Sequence, residues 1–257
     1  MSDLQLGVTL PQFTDDAQRF IDGALRAEAS GLDSVWVFDH LWPLSGSKER
    51  PVLEAWTSLA WVAARTDAVA IGTLVTRSSL RNVAVLTHMA RTVAAIAPGR
   101  LIIGIGSGDG SSRAENEAFG IPYWAGAERL EQFEATVVKL RDALADEGVR
   151  IWVAGRSDDA LDLAGRCGDA WNGWGGTATT YARDAATVLE YAGDRAVELT
   201  WGGVLKDQSV EEAGAQLSAF AGAGARHLVC TFPNAWRPGL YENLAQEVRP
   251  LIQVVAP

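Results

Sequence analysis

Asp39 and His40 stand directly after an uncharged, β-branched and aromatic run in the stretch SVWVFDHLW, residues 34–42. An imidazole with an ordinary pKa near ~6.5 can take up and return a proton at neutral pH, and a nearby carboxylate strengthens its hold on that proton. Successive strand residues face opposite ways, so the two need not touch each other. One can enter the interior while the other braces the loop.

Two further stretches place polar groups where backbone could meet a ligand. LIIGIGSGDGSS, residues 101–112, starts as a strand and then offers closely spaced glycines, with Ser107 as an added donor. The sixth position is Asp109 counted from Gly104 and Ser111 counted from Gly106, so the dinucleotide pattern G-x-G-x-x-G is absent, and no Gly-Lys-Ser/Thr follows as in a P-loop. What survives is a strand end kept bare for a ring to lie against. In VAGRSDDA, residues 153–160, the amide of Gly155, the guanidinium of Arg156 and the hydroxyl of Ser157 precede a helix, the arrangement of a phosphate site. Asp158 and Asp159 oppose that reading, since they complement the helix dipole themselves.

Metal chemistry finds little support. The chain has three histidines: His40, His88 in a helical stretch and His227 at the start of a strand, with no H-x-H pair. Cys167 and Cys230 form no CxxC and read as core thiols, and no G-x-S-x-G elbow is present.

Something must hold these groups together. Short β-rich runs fall at 4–9, 34–38, 70–75, 101–105, 150–153, 169–171, 199–204 and 227–231. Helical spacing falls between them at 15–30, 54–65, 83–97, 128–146, 158–168, 180–192, 209–222 and 240–254. Start and stop signals support several: Ser157 or Asp158 can cap the fifth helix, Ser209 and Glu212 make a capping box, and Gly31 follows the first. Eight strands alternating with eight helices imply an α/β (β/α)8 TIM barrel, one domain over residues 1–257. A doubly wound sheet satisfies the same alternation without closing. In a barrel, chemistry belongs on the loops after each strand. Those loops hold eight Lys and Arg against five Asp and Glu, within a chain of net charge −10, and they gather Phe13, Trp42, Trp174, Phe232 and Trp236. Such a mouth suits an anionic, flat ligand.

The 257 residues are 48% apolar and 21% charged, ordinary for a globular chain, and the acidic balance argues against nucleic acid or an anionic membrane as the main partner. MSDLQLGVTLPQF has neither a basic n-region nor a long apolar stretch, and no run reaches the roughly 18 to 20 apolar residues of a span. A cytoplasmic location is the expectation.

GLDSVWVFDHLWP, AIGTLVTRSSLRNVAVLTHMARTVAAIAPGRLIIGIGSGDG, AFGIPYWAGAERLEQFEATVVKLR and IWVAGRSDDALDLAGRCGDAWNGW together resemble the luciferase-like monooxygenase superfamily, closest to its coenzyme F420-dependent (deazaflavin) oxidoreductases. The resemblance implies a barrel binding F420, or alternatively FMN, at its carboxyl face. It implies that Asp39 binds the cofactor, that His40 acts at the reacting carbon and that Trp42 walls a substrate pocket with Phe13 and Trp236. Strand three is expected to end in a bulge with a non-prolyl cis peptide at Thr73-Leu74 behind the ring, so that Thr73, Leu74, Val75 and Thr76 bind the cofactor together with Asp39 and His40. Gly106, Ser107 and Gly108 would line the cofactor, and Asp109 matches an acidic catalytic position of the sugar-phosphate members. Gly155, Arg156, Ser157, Trp174 and Gly175 would take the phosphate end. The brief segment 205–209 implies a reduced lid. The expected activity is hydride transfer between the deazaflavin C5 and a small organic substrate, with a homodimer common among similar proteins. Two other readings stand beside it: an FMN-dependent monooxygenase fed reduced flavin by a partner reductase, and a non-catalytic F420-binding protein.

Overall fold

A computed structural model of the chain describes residues 4–44 and 46–253. Eight strands, β1 (Gln5–Thr9), β2 (Ser34–Val37), β3 (Ala70–Arg77), β4 (Leu101–Gly106), β5 (Arg150–Ala154), β6 (Ala170–Trp174), β7 (Glu198–Val204) and β8 (His227–Thr231), pair in sequence order. All pairs are parallel, and β1 closes on β8 with Gln5 opposite His227. Closure removes the doubly wound alternative.

The helices are α1 (Ala17–Ala29), α2 (Ala55–Arg65), α3 (Val83–Ile96), α4 (Ser112–Ala118), α5 (Gly126–Leu144), α6 (Asp158–Cys167), α7 (Ala178–Ala192), α8 (Val210–Gly222) and α9 (Leu240–Asn243). Ser157, not Asp158, caps α6, and the Ser209–Glu212 capping box forms at α8. The expected last helix breaks up after α9 into a π turn at Leu244–Val248 and a 3-10 turn at Arg249–Leu251, with Pro250 as its second residue. Its expected end at 254 lies outside the described residues. No helix among the described residues is long and apolar enough to cross a membrane.

Alternation along β2 divides the core. Val35 and Val37 pack outward against the helices, whereas Trp36 turns inward beside Trp152, Ile102, Val229 and Leu74. The two indoles lie 4.5 Å apart and plug the barrel. A Cβ on Gly72 would come within 2.5 Å of the Trp36 ring, so glycine makes that plug possible. His227 stands beneath the indoles, edge-on to both. Its Nε2 meets Ser34 Oγ at 2.6 Å, and the same oxygen accepts from Trp36 Nε1.

β3 bulges between Thr73 and Thr76: Thr73 pairs with Ile103 and Thr76 with Ile105, leaving Leu74 and Val75 opposite one residue, Gly104. The cis peptide is Leu74-Val75 and not Thr73-Leu74. Thr73 is still in the ladder, its Oγ1 donating to Gly104 O at 2.9 Å, so the irregular step falls one residue later than expected.

Candidate functional site at the carboxyl face of the barrel

Asp39 and His40 leave β2 in different directions, as strand alternation requires. Gln12, fully buried, brackets the backbone just before them by donating to Phe38 O and accepting from Phe38 N. Asp39 is 1% exposed and turns outward. Arg81 grips it with two bonds, Nη1 to Oδ2 at 2.6 Å and Nη2 to Oδ1 at 3.0 Å, and Thr76 Oγ1 also donates to Oδ2. Arg81 reaches on to Glu54, the N-cap of α2. Burial opposes the charge on Arg81, but Asp39 and Glu54 outweigh it and hold the guanidinium above its ordinary pKa. Asp39 thus braces the loops after β2 and β3, with both carboxylate oxygens taken up by protein.

His40 is one-fifth exposed and meets a partner the sequence reading passed over. Its Nδ1 lies 2.9 Å from Oε2 of Glu115, which is 1% exposed on α4. Glu115 Oε1 accepts from the amides of Leu41 and Trp42, and Arg77 Nη2 stands 3.0 Å from Oε2. Burial pushes the Glu115 carboxyl upward, yet His40, the Leu41 amide and Arg77 together pull it below its usual range. Among the described residues His40 Nε2 has no protein partner, and it is not enclosed. A charged carboxylate at Nδ1 and an open Nε2 make an imidazole oriented for proton exchange.

Asp109 stands in the loop after β4 as a clamp. Its Oδ1 accepts from the amides of Ser111 and Ser112 and from both hydroxyls. The Ser111 hydroxyl is the main cause that holds the Asp109 carboxyl below its ordinary range. The bareness of β4 serves the protein's own chain: a Cβ on Gly104 would lie 2.2 Å from Thr73 O, and one on Gly106 would lie 2.9 Å from Val75. Ser107 Oγ and Arg129 both donate to Gly108 O, and Gly108 takes φ +73°.

Phe38 and Trp174 meet edge to face at 5.9 Å, and Trp174 remains 40% exposed. A Cβ on Gly202 would reach 2.9 Å from the Trp174 ring and 3.1 Å from Leu74, so the indole and Leu74 share one face of the mouth. This apolar, partly open face fits a planar conjugated ring. Arg156 does not stand free. Its Nε and Nη2 hold buried Asp184 at 2.7 Å, leaving Nη1 over Gly176. Ser157 is the helix cap, and Gly155 O accepts from Trp171 Nε1. These donors fit a phosphate less fully than their spacing suggests.

Phe13, Phe38, Phe232 and Trp236 line a cavity of about 110 Å³ between the loops after β1, β2 and β8. Trp42 stands apart from it, edge-on to Phe119 and under Lys48 at 3.9 Å. A cavity of about 150 Å³ between the loops after β7 and β8 contains none of the expected site residues. The mouth is also less cationic than its loop count: Arg77, Arg81, Arg156 and Arg237 are each paired with a carboxylate. Among the described residues no group of three His, Cys, Asp or Glu could hold a metal.

The closed barrel thus carries an oriented imidazole and a partly open aromatic wall at its carboxyl end. The sequence matches the family described as luciferase-like monooxygenase over residues 2–197, and the chain belongs to that family. It is 34% identical over 178 residues to an F420-dependent glucose-6-phosphate dehydrogenase of Kineococcus radiotolerans, a match covering 60% of this chain and 51% of the relative. It is 31% identical over 211 residues to a phthiodiolone/phenolphthiodiolone dimycocerosates ketoreductase of Mycobacterium sp. (strain JLS), covering 66% and 55%. The matches thus span about half the length of these curated relatives. Among solved structures, an F420-dependent secondary alcohol dehydrogenase in complex with an F420-acetone adduct superposes with TM-score 0.79 at 18% identity, over 98% of this chain and 99% of the other. The F420-dependent tetrahydromethanopterin reductase of Methanopyrus kandleri superposes with TM-score 0.77 at 14% identity, over 98% and 100%. At those identities the likeness is one of fold.

Proposed function

We propose that the chain is a coenzyme F420-dependent oxidoreductase acting on a small organic alcohol or carbonyl compound. The observation that carries this reading is His40 at the mouth, Nδ1 tied to Glu115 and Nε2 open, in a family whose curated relatives here include F420-dependent dehydrogenases. The deazaflavin supplies hydride transfer when bound. Trp174, Leu74 and Val75 offer the face for its ring; Ser107, Gly155, Arg156, Ser157 and Gly175 are the candidates for its polar end. The chain's own residues orient the ring, exclude water and move the proton: His40 Nε2 takes it from a substrate hydroxyl, or returns it to a carbonyl oxygen. Phe13 and Trp236 line the cavity open to the substrate. Asp109 is the second acid/base candidate, but its engagement with Ser111 and Ser112 favours a clamping role.

The test is a panel of secondary alcohols and ketones mixed with oxidised or reduced F420, read by deazaflavin absorbance, beside oxygen uptake with reduced FMN. The proposal expects absorbance change with F420 and no oxygen uptake beyond the autoxidation of free reduced FMN. Protein-dependent oxygenation of a substrate with reduced FMN would transfer the chain to the monooxygenase reading.

A further inference from the structure

We propose that Glu115 is a positioning residue that sets the tautomer of His40, so that the neutral imidazole presents a proton acceptor, not a donor, to the mouth. The inference rests on the functional reading of His40 and adds a residue that reading did not contain.

The argument is one of hydrogen-bond accounting. An ionised carboxylate has only lone pairs to offer, so the ring nitrogen 2.9 Å from Glu115 Oε2 must carry hydrogen. A neutral ring has one N–H, which leaves the lone pair on Nε2. Glu115 stays ionised because it is tied on three sides: to His40 at Nδ1, to the amides of Leu41 and Trp42, and to Arg77. Arg77 is itself 3% exposed, with Nη1 donating to Asn116 Oδ1, so it cannot swing away to solvent. The other charged pair near this loop, Asp39 with Arg81, is saturated on the outward side and leaves Glu115 as the anion at Nδ1. One side chain thus fixes the ring and, through two backbone amides, the start of the loop that carries Trp42.

In the alcohol-to-carbonyl direction a bound deazaflavin would accept the hydride released as the substrate C–H bond breaks. The O–H proton passes to Nε2 as the C=O bond forms. The reverse direction needs the doubly protonated ring, whose Nε2–H then donates.

Nitrogen-15 NMR of histidine-labelled protein reads the tautomer directly, and with three histidines in the chain the signals can be assigned by single substitutions. Neutral wild-type His40 is expected as the Nδ1–H form. Glu115→Gln keeps an oxygen for the amides but turns a donor amide toward Nδ1, so His40 should convert to the Nε2–H form. Turnover with F420 should then fall by about 10²-fold or more while F420 affinity is retained. A wild-type His40 in the Nε2–H form overturns the proposal whether or not the variant folds. So does a folded Glu115→Gln variant whose His40 tautomer is unchanged, even if its activity drops. Failure of F420 to bind would remove the functional reading and leave the tautomer result standing.

Discussion

At the scale of single residues, the two acid/base candidates separate. His40 has an open nitrogen and a charged carboxylate behind it, whereas Asp109 spends Oδ1 on four donors from Ser111 and Ser112. His40→Ala should lower turnover by about 10²–10⁴-fold with F420 binding kept, as expected for a lost proton-transfer group. Asp109→Asn keeps the accepting oxygen and should leave turnover within about threefold, measured in the same assay. His227 gives a prediction of a different kind. Burial, and secondarily the charge of Arg150, push its imidazole down to about 3 from an ordinary value of 6.5. Between those values the unfolded chain binds a proton that the folded chain refuses. Stability therefore falls as pH drops from about 6.5 to about 3 and levels off below. Denaturant midpoints at about pH 7 and about pH 4.5 should converge in His227→Gln relative to wild type, the other acid-labile groups contributing equally to both proteins.

At the scale of elements, the bulge of β3 against β4 is the feature that shapes the mouth. Gly104 faces Thr73 O so closely that Gly104→Ala must displace backbone, and we expect a loss of about 1–3 kcal/mol in chemical denaturation. Arg81→Met would leave Asp39 charged, buried and unpaired, and the loss should reach about 3–5 kcal/mol. Apolar periodicity and turn residues made the eight strands legible to within a few residues, because each strand's apolar run is what buries it. β6 runs on to Trp174 past the expected end at Trp171, since Gly173 reads as a breaker but is needed to clear Trp171 and Tyr181. α4 escaped altogether. Its buried residues are Ser112, Glu115 and Asn116, so its inner face is polar and shows no apolar period. Glu115 was missed for the same reason. In sequence 75 residues separate it from His40. The cis peptide was placed one residue early, because register across the bulge depends on which β4 residue faces Thr73.

At the scale of the molecule, an acidic chain carries a mouth whose arginines are mostly spent on its own carboxylates. Affinity for a coenzyme should then come chiefly from the aromatic and apolar face around Trp174 and depend only weakly on salt. Increasing salt from about 0.05 M to about 0.5 M should weaken F420 binding by less than about tenfold, because charges already paired within the protein offer little attraction for added screening to remove. The same titration tests the central claim most directly: deazaflavin fluorescence against added protein, with FMN as the competitor. F420 is predicted to bind well below millimolar, beyond the roughly −4 kcal/mol of that regime, and more tightly than FMN. F420 binding no tighter than about millimolar, or displaced by equimolar FMN, would contradict the account.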